Sequence, residues 1–159
     1  MSFVAVNPPP VTPEAAVKND GWFPDIDLKS MREDMRLDGT VTAPRLRRSV
    51  INAVASVNAE LADWQAMQRS AGYGDLAGVP SQAIDGKSLK VMRYMRAVAA
   101  YVQADLAEAY RDLDTLPDGA GKEARVYSKL EIRVDEFRRE LRWAIADLKG
   151  QRRVIVELI

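Results

Sequence analysis

The chain has 159 residues, 47% of them hydrophobic, enough for one domain with a core that needs no covalent staples. It contains no cysteine and no histidine. That excludes disulfide frameworks, thiolate and imidazole zinc sites, Ser-His and Cys-His nucleophile pairs, and the Glu-x-x-His di-iron site of helical bundles. Lys plus Arg and Asp plus Glu are both 23, so the formal net charge is zero and bulk nucleic-acid binding lacks the basic excess it draws on.

Residues 1–22 read as an extended arm. Pro8, Pro9, Pro10 and Pro13 favour polyproline geometry and forbid a helix interior. Phe3-Val4-Ala5-Val6 is a short β-prone run inside that arm. The N-terminus carries no basic region, which argues against a secretory signal, and no stretch approaches the roughly 18 apolar residues of a membrane span. The expectation is a soluble, cytoplasmic protein with no membrane partner.

Phe23-Pro24-Asp25-Ile26-Asp27 leads into a short helix over 28–37, with Asp27 as N-cap and Asp38-Gly39 as its stop. Thr42 is the next N-cap, with Pro44 in the first turn where its missing N–H is harmless. Leu46, Val50, Val54, Val57, Leu61 and Trp64 then form one helical stripe, ended by Gly72-Tyr73-Gly74, and a loop runs to Pro80. A second long helix is predicted from near Asp85 to near Asp114. It is apolar on nearly every side between Val91 and Ala104, as a centrally placed helix would be. Leu116-Pro117-Asp118-Gly119 is a turn signal. The third long helix, 122–149, carries Val126, Leu130, Val134, Phe137, Leu141, Ile145 and Leu148 on its stripe, and Gly150 stands at its C′ position. The fold class is therefore all-α: three long helices and one short N-terminal helix, with an extended proline-rich arm and an extended tail. The divisions are 1–22, 23–150 and 151–159.

The tail, Arg152 to Ile159, is β-branched and apolar. A chain end of that kind is disordered unless something ties it down. Two partners fit it: the run Phe3–Val6, or a strand or groove of another polypeptide. The second is preferred because a lone two-stranded ribbon is marginal in water.

Other motifs are weaker. Asp85-Gly86-Lys87-Ser88 ends like a P-loop, but Ser81 stands where that motif needs its first glycine, so the stretch is read as a helix start with Gly86 in the first turn. Arg45, Arg47 and Arg48 crowd the start of a helix, where they form either a solvated face or a patch for an anion or an acidic partner. Glu131, Asp135 and Glu136 are interleaved with arginines, the pattern of a salt-bridged surface rather than of acid–base catalysis. Trp143, beside Arg139 and Arg142, suits an interface or the core equally.

A family resemblance rests on Phe23-Pro24-Asp25-Ile26-Asp27, Met35-Arg36-Leu37, Thr40-Val41 leading to Pro44-Arg45-Leu46, and Asn58-Ala59-Glu60-Leu61. It continues through Ile84-Asp85-Gly86, Lys90-Val91, Tyr94 and Arg96-Ala97-Val98, then Leu141-Arg142-Trp143-Ala144 through Gly150 and Arg153 to Ile155-Val156 and Ile159. In this order and spacing the chain resembles the head-completion (GPL) family of contractile-tailed temperate bacteriophages over about 23–159. The resemblance implies a virion structural protein, not an enzyme, with no cofactor and no metal. It would complete and stabilise the DNA-filled head as an adaptor ring of twelve copies between the portal and the downstream neck protein or tail terminator. Packaged DNA would pass through the ring without sequence-specific binding. The protein would reside in the virion neck, and in the host cytoplasm during assembly.

On that reading Arg152, Arg153, Val154, Ile155, Val156, Leu158 and Ile159 would dock on the portal, the two arginines pairing with acidic groups at the rim of the contact. Part of the broad apolar span of the second long helix, through Val91, Met95, Val98 and Val102, would face the next subunit. A different class of function, a helical regulator binding a partner helix or nucleic acid, predicts a basic stripe that the sequence reduces to the Arg45–Arg48 cluster. An enzyme would be confined to carboxylate, Ser/Lys or Mg²⁺ chemistry, for which no constellation is visible.

Overall fold

Asp27 ends an extended strand of chain and begins α1 (Leu28–Asp34), its carboxylate accepting from the backbone N–H of Lys29 and Ser30 and from the Ser30 hydroxyl at 2.6 Å. The Ser30 hydroxyl is also the main reason this carboxyl is held below its ordinary range. α1 stops three residues short of the predicted end. Arg36 turns into the left-handed region (φ 52), and the Leu37 N–H reaches back to the Arg32 carbonyl at 3.0 Å, closing the helix without a glycine. α2 (Ala43–Ser70) starts after Thr42 with Pro44 in its first turn, as predicted, although no Thr42 side-chain cap bond forms.

The computed structural model describes residues 14–37, 41–113 and 123–153, with the side chains of 110–113 and 123–132 left aside. Phe3–Val6, the proline run, the 116–119 turn and the tail residues Val154, Ile155, Val156, Leu158 and Ile159 lie outside that range.

The region after α2 departs from the prediction. Ala83–Ile84 (β1) pairs antiparallel with Lys87–Ser88 (β2) around Asp85-Gly86, both with positive φ (50 and 70), and the helix begins only at Leu89. Asp-Gly in a two-residue turn with two left-handed residues is the favoured hairpin chemistry. The expected helix start at Gly86 is thereby corrected, and the helical fold gains a two-stranded ribbon. α3 (Leu89–Leu113) and α4 (Glu123–Lys149) complete the order.

α3 is the central helix, as its all-round apolar middle predicts: it packs along α4 and against α2, while α2 and α4 barely touch. Leu46, Val50, Val57 and Leu61 of α2, Tyr94, Val98 and Val102 of α3, and Ile145 and Leu148 of α4 form the buried centre. Among the described residues no helix is long and apolar enough to cross a membrane.

The inner part of the predicted arm belongs to this body. Val17 and Ile26 exchange two backbone hydrogen bonds at 2.8 and 2.9 Å, bending 17–26 into a loop. Asp20 receives the N–H groups of Trp22 and Phe23 on one oxygen and the Gln65 amide on the other, with Gly21 at φ 84 making the turn. These contacts hold the Asp20 carboxyl below its ordinary range against the opposing effect of burial. Trp22 lies edge-on to Phe23 and Trp64, and its indole N–H donates to the Tyr73 carbonyl at 3.0 Å. Glu14 meets Arg32 at 2.6 Å in a half-buried pair, and Arg32 also donates to the Val41 carbonyl.

Beneath the loop, Asn19, Asn58 and Tyr94 close a ring of side-chain hydrogen bonds. The Asn19 amide donates to the Tyr94 oxygen (2.8 Å), the Tyr94 hydroxyl to Asn58 (2.7 Å), and the Asn58 amide to Asn19 (2.8 Å). Tyr94 is 0% exposed and stacks on Phe23 at 4.7 Å. Burial pushes its phenol from 10.0 up to about 12. The folded state thus holds this proton more tightly than the unfolded state does. Its contribution is complete below pH 10 and is lost as pH rises from there through about 12. Two pKa units correspond to about 2–3 kcal/mol. Denaturant titrations of wild type and Tyr94→Phe across this window should show the extra alkaline slope in the wild type alone.

Candidate functional site

The end of α4, from which the tail departs, carries a cluster of directed polar contacts. Gly150 adopts φ 73, its N–H bonds to the Asp147 carbonyl at 3.2 Å, and the Gln151 N–H bonds to the Ala146 carbonyl at 2.9 Å. An added Cβ at Gly150 would meet nothing within 4 Å, so its requirement for glycine is conformational. The predicted C′ role of Gly150 is therefore present.

Two cations from the neighbouring helix also donate to carbonyls of this turn. Lys90 of α3 donates to the Leu148 carbonyl at 2.8 Å while lying 5.1 Å above the Trp64 ring, and Arg93 donates to the Asp147 carbonyl at 2.6 Å. Positive charge at a helix C-terminus is favourable. Desolvation, followed by the nearby Arg93, lowers the Lys90 ammonium from its ordinary pKa. In the other direction Lys149 donates to the Glu60 carbonyl of α2 at 2.8 Å, joining α2 and α4 at this end.

Arg153 folds back onto the same turn. Its Nε and Nη2 donate to the two Asp147 carboxylate oxygens at 3.0 and 2.6 Å, and its guanidinium lies 5.0 Å from the Trp143 ring centre. Arg139 lies 5.1 Å from the same ring. The Arg153 hydrogen bond is the largest cause holding the Asp147 carboxyl below its ordinary range, and Arg93 and Arg96 add to it. Beside the ring, Arg96 pairs with Glu140 at 2.8 Å. Trp143 is half-buried, with a shallow cleft formed by Arg96, Glu136, Arg139 and Glu140 along one side of it.

Arg153, expected to seek an acidic group on a partner, is thus satisfied within the chain, and Arg152 remains on the exposed surface. No sequence signal pointed to the Asp147–Arg153 pair. A separation of six residues is not a helical neighbour spacing, and it closes only because Gly150 reverses the chain.

Arg47 donates to the Ala15 carbonyl at 2.8 Å and so helps to secure the inner arm, Arg48 is exposed, and Arg45 is half-buried. Val98 and Val102, expected at a subunit interface, are 0% exposed inside the chain's own core. α3 is covered by α2 and α4, which corrects the expectation for these two. Val91 and Met95 are only half-buried, and Met92 beside them is 39% exposed.

The family model for the phage head completion protein (GPL) matches residues 17–159. A head completion/stabilization protein of Escherichia phage P2 is 42% identical over 154 residues, covering 97% of this chain and 89% of the relative. No solved structure matches the chain significantly.

Proposed function

The chain belongs to the phage head completion (GPL) family, and from that premise we propose that it is a structural protein completing and stabilising the DNA-filled head. The observation that carries this reading is the 42% identity with the P2 protein over nearly the whole of both chains. The finer reading is an adaptor ring, of twelve copies, between the portal and the downstream neck or tail-terminator protein, with DNA passing through it. In this ring the tail 151–159 docks on the portal. Arg152 supplies charge at the rim, and Val154, Ile155, Val156, Leu158 and Ile159 fill a groove or extend a sheet. Val91 and Met95, with Met92, belong to the lateral contact between copies. The role is structural rather than enzymatic and is exercised in the virion neck.

Support for the docking reading comes from the end of α4. The root of the tail is held in one place by bonds at Gly150, Gln151 and Arg153, immediately before the apolar run begins. Removing 151–159 should leave the helical circular dichroism spectrum unchanged and abolish capture of purified portal. Undiminished capture by the truncated protein would defeat the docking reading.

A further inference from the structure

We propose that Arg153 is a positioning residue, whose clamp on Asp147 and Trp143 sets the direction in which the tail leaves the bundle and stays closed when the tail engages its partner. This rests on the portal-docking reading above. Three observations carry it. First, the clamp is two-pronged: both carboxylate oxygens of Asp147 accept from one guanidinium at 2.6 and 3.0 Å, a planar fork that a lysine ammonium does not reproduce. Second, its base is rigid. The Asp147 carbonyl is held by Arg93 of α3, and the Trp143 ring is also covered by Arg139. Third, the clamp is the last of a series, because Gly150 and Gln151 are already bonded to the same final turn.

Exposed ion pairs alone contribute little to stability, so a pair elaborated in this way points to geometry rather than to folding. The geometry matters because docking a free chain end includes the loss of its conformational freedom, and a fixed root reduces that loss. The competing role for Arg153, a charge offered to an acidic group of the partner, makes the opposite prediction. Breaking the intramolecular pair would then release the guanidinium and strengthen binding.

The absence of cysteine allows a single nitroxide label on Arg152→Cys in the full-length chain. With the clamp intact the label should show restricted motion. Adding Asp147→Asn or Arg153→Lys should make it markedly more mobile without changing the helical dichroism. In unlabelled protein, Asp147→Asn should bind purified portal roughly tenfold more weakly, the preorganisation being lost while every tail residue is kept. Unchanged label mobility, or portal binding that is equal or tighter in Asp147→Asn, overturns the proposal. A chain lacking 154–159 separates the two readings. If it still captures portal, docking through the tail is wrong, and the label mobility continues to decide whether the clamp exists.

Discussion

Trp22→Ala should lower the free energy of unfolding by about 3–5 kcal/mol, the range for removing a large aromatic side chain from a packed core. The size follows from what Trp22 joins. It is 2% exposed, meets Phe23 and Trp64 edge-on, and hydrogen-bonds the Tyr73 carbonyl through its indole. Alanine would leave a void under Phe23 and Trp64 and an unpartnered carbonyl at Tyr73. Chemical denaturation followed by circular dichroism measures the loss. A change within about 0.5 kcal/mol, typical of surface positions, would show that 14–22 is an appended arm after all.

Asn58→Ala should destabilise the protein by about 1–3 kcal/mol, because it leaves the hydroxyl of the buried Tyr94 without its acceptor, while the Asn19 oxygen keeps the Asp20 N–H at 2.9 Å. Without the Asn58 side chain, the Tyr94 hydroxyl has no acceptor and the Asn19 oxygen loses the amide that bridges it to α2. Tyr94→Phe breaks the same ring from the other side. The double variant should therefore cost less than the sum of the singles, by about 1–2 kcal/mol, as expected for members of one hydrogen-bonded unit. Strict additivity in that cycle would mean that the three side chains contribute as independent contacts.

The long helices were legible because their apolar stripes recur at helical spacing: Leu46 to Trp64 on α2, and Ile145 and Leu148 on α4, are buried as predicted. The Asp27 cap and the Gly150 stop were equally local and equally readable. The β1–β2 hairpin escaped because its strands are two residues each, too short to show alternation, and Ile84 is 45% exposed, so no apolar pattern announces it. Only Asp85-Gly86 carries the signal, and in sequence it reads equally as a helix start. The end of α1 had no marker either, since Arg36 takes a conformation usually left to glycine.

At the site, the last turn of α4 was foreseeable and its surroundings were not. Lys90 and Arg93 cap that turn from more than 50 residues away, and no periodicity within α4 encodes the contact. The same holds for Trp22 and Asn19, whose burial depends on partners in α2, the following loop and α3. The two valines Val98 and Val102 were read correctly as apolar. Which surface covers them is decided by tertiary packing, and α3 proved central enough to enclose them within one chain.

The ring of Asn19, Asn58 and Tyr94 also bears on the order of events as the chain is made. The segment around Asn19 and Trp22 is synthesised early, yet the groups that receive it lie up to 75 positions later. Closing so long a loop carries an entropic cost that local helix formation does not. On the ribosome, the seat of this segment stays incomplete until Tyr94 has emerged, because the Asn19 amide and the Phe23 ring both meet Tyr94. Translational pausing between Trp64 and Tyr94 would lengthen the interval in which the nascent protein is most open to aggregation.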